Sequence, residues 1–226
     1  MSIDVSADEL TLLGRYLDLL YEANTRMNLT AVKDRDEAWR RHIIDSLSLL
    51  PFIAEMPEQA RAIDIGSGGG MPGFPVAITQ TGLAMTLLEA TAKKAAFLRE
   101  CAESLDLPHV TVVNQRAETI GQSRDHRQRY DLAIARAVGP MNVLLELTLP
   151  LVKVGGRVLA MKGRNVEAEL RECGDALELL GAGDVEVFDA YPDAMQREGV
   201  IVAVQKDRPT PRDYPRLPGE PKRAPL

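Results

Sequence analysis

The chain has 226 residues, of which 45% are hydrophobic and 27% charged, and its formal net charge is −6. This is enough apolar chain for one sizeable core, and it excludes a disordered or membrane composition. The two cysteines, Cys101 and Cys173, stand far apart in helical segments, which excludes a disulfide framework and a CxxC metal cluster.

The opening MSIDVSADEL is acidic and has no apolar segment, so it does not read as a signal peptide. No apolar run approaches the roughly 18 residues of a membrane span. A cytoplasmic protein with no membrane partner and no metal is expected. Leu10, Leu13, Leu17, Leu20 and Tyr21 then recur at helical spacing, as do Trp39, Ile43, Leu47 and Leu50 before Pro51. Residues 1–57 are therefore expected to form an N-terminal helical extension with two main helices. From residue 60 the pattern changes. RAIDI, LAMTLLE, HVTVVN, YDLAIA, GGRVLAMK, DVEVFDAY and GVIVAVQK read as strands, with helices over 75–80, 92–105, 140–152 and 165–181. Apolar strands separated by helices imply a parallel sheet covered on both faces. The link between the last two strands, Pro192 to Glu198, is too short for a parallel crossover, so they should pair antiparallel. Residues 58–206 thus read as an α/β domain with a Rossmann-like, mostly parallel sheet whose last strand is antiparallel. Residues 207–226 hold six prolines and a charge balance of +2, and are expected to form an extended or mobile basic tail.

The stretch AIDIGSGGGMPGFP, residues 62–75, puts five glycines within eight residues immediately after the first strand. Such a turn lies at the carboxyl edge of the sheet, where open α/β sheets bind ligands. A GxGxxG dinucleotide fingerprint can be threaded through Gly68, Gly70 and Gly73 only with Pro72 inside it, a weak match. An acid at the strand end followed by GxGxG is instead similar to motif I of S-adenosylmethionine-dependent methyltransferases. Glu89, ending the second strand, is placed to accept ribose hydroxyls; the plainer reading is a charge opening the helix before Lys93 and Lys94. Gln115-Arg116-Ala117-Glu118 follows the third strand, where an adenine would be flanked.

The acceptor is narrowed by absences. After the fourth strand stands Ala135-Arg136-Ala137-Val138 rather than the (N/D)PP(Y/F) of exocyclic amino methylation. Neither cysteine follows a proline or lies near the sheet edge, as a nucleophile for pyrimidine carbon would. An acceptor that is already nucleophilic, such as a ring nitrogen, needs neither device. The negative net charge does not exclude nucleic acid, because binding follows local patches. Arg35, Arg40, Arg41 and His42 form one basic cluster, Arg124, Arg127 and Arg129 another, and Lys162 with Arg164 a third. Each alone also reads as a solvated face.

In order and spacing, MNLTAV (27–32), RHIIDSL (41–47), IDIGSGGGMPGFPVAI (63–78), LLEATAKKAAFLR (87–99), RAE (116–118), ARAV (135–138) and GGRVLAMKG (155–163) resemble the RsmG (GidB) family of bacterial 16S ribosomal RNA guanine-N7 methyltransferases. The resemblance spans about residues 10 to 205. It implies S-adenosylmethionine as cofactor and small-subunit ribosomal RNA, or the small ribosomal subunit, as partner. It places Gly66, Met71, Ala117, Glu118 and Arg136 at the cofactor, beside Gly68, Gly70 and Glu89. Arg136 there could reach the cofactor carboxylate, an RNA phosphate, or a structural ion-pair partner. Asn28, His42 and Asp45 either shape the entrance for a flipped guanine or pack the extension on the sheet. Lys162 reads as a phosphate contact or a solvated lysine. Met71 stands where the family often has Leu or Phe. The tail lies past the usual end of the domain, so no family role extends to it. A methyltransferase of the same fold acting on a small molecule or a protein, and a non-catalytic binder of the cofactor, remain open alternatives.

Overall fold

The computed structural model describes residues 4–54, 56–163, 165–191 and 199–226, so Arg164 and the link Pro192 to Glu198 lie outside the described residues. Helix α1 (Ala7–Asn24) begins at a reciprocal cap: Ser6 Oγ accepts from Glu9 N–H and the Glu9 carboxylate accepts from Ser6 N–H. It buries Leu13, Tyr16, Leu17 and Leu20, whereas Leu10 is half exposed, so the apolar stripe runs through Tyr16 rather than Leu10. Asp34 caps the next helical stretch. That stretch runs through α2 (Arg35–Ala38), a π-helical turn (Trp39–Ile44), α3 (Asp45–Leu47) and α4 (Leu50–Ile53).

Seven strands follow: β1 (Arg61–Ile65), β2 (Ala84–Leu88), β3 (Val110–Val113), β4 (Tyr130–Arg136), β5 (Val152–Lys162), β6 (Ala182–Asp189) and β7 (Val200–Lys206). Between them lie α5 (Gly73–Thr79), α6 (Ala92–Ser104), α7 (Ala117–Gly121), α8 (Met141–Thr148), α9 (Val166–Glu172) and α10 (Gly174–Leu180). The sheet order is β3-β2-β1-β4-β5-β7-β6, with β7 running against both its neighbours. The expected antiparallel last strand is thus present, inserted between β5 and β6. Alternate residues of each strand serve opposite layers: Leu132 and Ile134 join the core with α1, α5 and α6, while Ala133 and Ala135 join that with α7 to α10. The extension has no core of its own, since Leu13, Tyr16, Leu17 and Leu20 share one cluster with Phe74, Ile78 and Leu98.

The C-terminal residues contradict the expectation of an extended or mobile tail. They fold back as a strap across α7 and α8, ending in a short helix α11 (Glu220–Arg223). Thr210 and Pro221 are buried, and Arg216 grips the buried carboxylate of Glu146 with Nε and Nη2 (2.9 and 2.6 Å). Arg127, read above within a basic surface cluster, donates to the carbonyls of Gly121, Thr210, Pro211 and Tyr214 instead. A proline-rich segment with few N–H groups leaves carbonyls to satisfy, and one arginine fork satisfies several. Among the described residues no helix is long and apolar enough to cross a membrane.

Candidate active site

Strand register sets the site. Ile65 pairs with Leu88 of β2 and with Ala135 of β4, so the chain leaves all three strands at one level. Gly66, Glu89 and Arg136, each the next residue or nearly so, therefore stand side by side at the carboxyl edge. This edge lies at the switch point between β1 and β4, where the sheet opens for a ligand.

The loop after β1 is fastened from several sides. Gly66 and Ser67 N–H both donate to Leu88 O, and Gly68 N–H donates to Glu89 Oε2 at 3.0 Å. Below it, Asp64 Oδ2 accepts from Gly73 N–H, and Tyr16 donates its buried hydroxyl to Gly69 O at 2.8 Å. Gly66 and Gly68 have φ of +71° and +57°, and a Cβ on either would stand 3.5 Å or more from its neighbours. These two glycines thus provide a turn that L side chains rarely adopt, so backbone conformation rather than crowding calls for glycine there. Gly70 has a different reason: a Cβ there would collide with the Phe74 ring, so it serves core packing.

Glu89 is buried, and both its oxygens already accept backbone N–H groups, Oε2 from Gly68 and Oε1 from Thr91 at 2.7 Å. Each oxygen keeps a further lone pair. Asn114 donates to Glu89 O at 2.8 Å and so fixes the end of β3 beside it. Three residues on, α7 begins with Ala117 and Glu118, both buried. Asp64 Oδ1 is buried with no hydrogen-bond partner, and burial pushes the carboxyl pKa up to about 7. A positive-φ turn, the single carboxylate of Glu89 at the β2 end and a buried Asp64 oxygen lacking a donor suit a nucleoside cofactor that carries positive charge.

Arg136 joins three parts of the molecule. Its Nη1 donates to Arg41 O at 2.9 Å, its Nη2 to Met71 Sδ at 3.5 Å, and it lies 3.8 Å from the Asp45 carboxylate. Asp45 also accepts from the Tyr191 hydroxyl. Next to Arg136, Ala137 has φ of +56°, and the chain turns there so that Val138 faces Gly66. Asp45, Arg136, Ala137, Lys162, Tyr191 and Gly199 line a cavity of about 370 Å³ open at this edge. That volume lies within the range of small-ligand pockets.

Of the other sequence candidates, His42 is buried, bonded through Nε2 to Thr30 Oγ1 at 2.7 Å, with Nδ1 unpartnered. Burial, and then the nearby Arg136, lower its pKa to about 4. Lys162 is not solvated: its ammonium donates to Gly139 O and pairs with Glu169 at 2.6 Å. Asn28 is exposed in the loop after α1, and the ordering of that loop falls to Asn24, which bonds Leu29 and Thr30. Both cysteines are buried; burial raises the Cys173 thiol and pushes Cys101 up to about 12, so neither offers a thiolate. Sequence reading missed Tyr16, Asn24, Glu169 and Tyr191. Tyr16 alone had a signal, its place within the apolar stripe of α1; the others meet their partners only through the tertiary fold.

Comparison with known proteins agrees with this geometry. Residues 9–194 match the family described as rRNA small subunit methyltransferase G. A ribosomal RNA small subunit methyltransferase G from Moorella thermoacetica is 41% identical over 224 residues, covering 99% of this chain and 93% of its own. One from Chloroflexus aggregans is 42% identical over 224 residues, with the same shares covered. These alignments take in the proline-rich strap, which therefore is not an addition beyond the related chains. Among solved structures, Haemonchus contortus phosphoethanolamine N-methyltransferase 2 in complex with S-adenosyl-L-methionine has a TM-score of 0.54 at 15% identity, covering 72% of this chain and 52% of that one. Precorrin-6y C5,15-methyltransferase from Geobacter metallireducens has a TM-score of 0.51 at 15% identity, covering 72% and 87%. The sheet is that of class I S-adenosylmethionine-dependent methyltransferases.

Proposed function

The chain belongs to the rRNA small subunit methyltransferase G family, and from that membership we propose that it methylates N7 of a guanine in small-subunit (16S) ribosomal RNA, in the cytoplasm. S-adenosylmethionine supplies the methyl group on a sulfonium centre. Gly66 and Gly68 receive it against bare backbone, Glu89 meets the ribose with its spare lone pairs, and Ala117 and Glu118 flank the base. Met71 and Arg136 close the side toward the acceptor. The cavity beside Arg136 takes the guanine, and Asp45 offers a carboxylate to the ring that becomes cationic on methylation.

The observation that supports N7 most directly is that, among the described residues, the acceptor side carries neither an amino-methylation motif nor an accessible thiol. Ala135–Val138 carries no motif for amino-group methylation, and both thiols are buried, with burial pushing Cys101 up to about 12. Guanine N7 has an in-plane lone pair and no proton to lose. The protein need only hold the reacting atoms in line, which is catalysis by orientation. Incubation with labelled S-adenosylmethionine and small subunits, then mapping of the base by borohydride and aniline cleavage, tests the assignment. Label at a guanine cleaved by that treatment is expected. Label at an amino group, a pyrimidine or a protein would overturn it.

A further inference from the structure

The strap makes one contact that core packing does not require. Gly219 N–H donates to Glu118 Oε1 at 2.8 Å, across 101 residues of sequence. Glu118 lies in the first turn of α7, directly after the end of β3, which Asn114 ties to Glu89. A nucleoside whose ribose meets Glu89 carries its base outward along the sheet order β1-β2-β3, toward this turn. We propose that the C-terminal strap is a working part of the cofactor site: by holding one oxygen of Glu118 it fixes the other as the acceptor that reads the adenine amino group. The inference rests on the cofactor reading above and extends it to residues outside the methyltransferase sheet.

The chemistry follows from donor and acceptor counts. An ionised carboxylate only accepts. With Oε1 engaged by Gly219, the remaining oxygen favours a base that donates from its 6-position and rejects one that presents a carbonyl there. The strap is itself held rigidly enough for this purpose. Arg216 is locked to Glu146 by two donors, Gln122 donates to the carbonyls of Arg212 and Pro215, and a Cβ on Gly121 of α7 would clash with the Pro215 ring at 2.6 Å. Strap and α7 are therefore fastened to each other at several points, with Gly219 at φ +85° placing its N–H on Glu118.

Deletion of residues 217–226 removes the Gly219 donor while keeping the Arg216, Thr210 and Arg127 anchors. Calorimetric affinities for S-adenosylhomocysteine and for its inosine analogue, which carries oxygen at the 6-position, form the test. Wild type is expected to prefer the adenine compound by at least about tenfold, and the deletion to lose most of that preference. Glu118→Gln in the full chain provides a second arm that keeps the strap. Gly219 then claims the amide carbonyl and leaves an NH₂ toward the base, so the preference should fall or reverse. A merely structural strap would lower the melting temperature and leave the ratio of affinities as it was. Unchanged discrimination in the deletion, or in Glu118→Gln should the deletion not fold, overturns the proposal. Wild type that binds neither compound would instead count against the cofactor reading itself.

Discussion

Glu89 accepts two backbone N–H groups at the place where the proposed function puts the ribose, so one carboxylate would serve a structural and a binding role together. The sequence offered these as rival readings because it shows a carboxylate at a strand end but not what the loop beside it donates. An amide in its place can accept through one oxygen only, and its NH₂ faces a donor. Glu89→Gln is therefore expected to lose about 1–3 kcal/mol of stability without ligand as well as cofactor affinity. Denaturant melts with and without S-adenosylmethionine check this; an unchanged unliganded stability would mean that other bonds hold the loop. Asp64 gives a pH effect of definite sign. Its folded pKa of about 7 exceeds the ordinary 3.8, so between those values the folded chain holds a proton that the unfolded chain has lost. Stability of the unliganded protein should fall as pH rises through that window, and Asp64→Asn should remove the slope. The methyl-transfer step should behave otherwise. With N7 as acceptor and His42 neutral above about pH 4, single-turnover rates at saturating substrates should stay level from about pH 5.5 to 8.5, in wild type and in His42→Ala alike. A rate that climbs tenfold per pH unit in wild type and is level in the variant would mean that His42 acts as a base.

At the scale of elements, the strands were legible because period and length differ clearly from those of the helices between them. The short link before β7 sufficed to reverse it. The helix expected over 165–181 is instead two, α9 and α10, parted at Cys173, and other features escaped as well. Helix α7 spans only Ala117–Gly121, too few residues for a periodic pattern. The π-helical turn Trp39–Ile44 keeps an apolar spacing close to that of an α-helix, so nothing in the side chains announces it. The prolines of the strap predict an extended or mobile tail; what orders it is Arg127, Gln122 and Glu146, distant in sequence and unremarkable where they stand. Arg136 shows the same limit within the site. Its position at the sheet's carboxyl edge is readable, as the last residue of β4, but its grip on Arg41 O and Met71 Sδ couples the extension to the glycine loop. A lysine retains the charge and loses the planar fork that reaches both. Arg136→Lys is expected to weaken S-adenosylmethionine about tenfold while Arg41 and Met71 separate. Wild-type affinity by calorimetry would show that the coupling does not bear on the cofactor.

For the molecule as a whole, the question is whether the extension and the sheet are separate folding units, as the change of pattern near residue 57 implies. The packing argues for one unit. Leu13, Tyr16, Leu17 and Leu20 have no other core to enter, and Tyr16 spends its hydroxyl on Gly69, within the glycine loop proposed to receive the cofactor. Losing α1 would uncover α5 and α6 and free that loop, so partial unfolding should cost nearly as much as complete unfolding. The sequence supplies its own reporter: the single tryptophan, Trp39, lies in the extension and packs near Gly14 of α1. Tryptophan fluorescence and far-ultraviolet circular dichroism should therefore trace one coincident urea transition. Tyr16→Phe leaves a buried carbonyl without its donor, at a cost of about 1–3 kcal/mol. In a single cooperative unit this should move both traces by the same amount. S-adenosylmethionine at about 100 times its Kd should move both upward by about 2.7 kcal/mol, although it would touch only the sheet edge. A fluorescence transition that precedes the dichroism, or a Tyr16→Phe shift confined to fluorescence, would show that the extension folds on its own, and the coupling of Tyr16 to the glycine loop would then carry no cofactor-dependent stability.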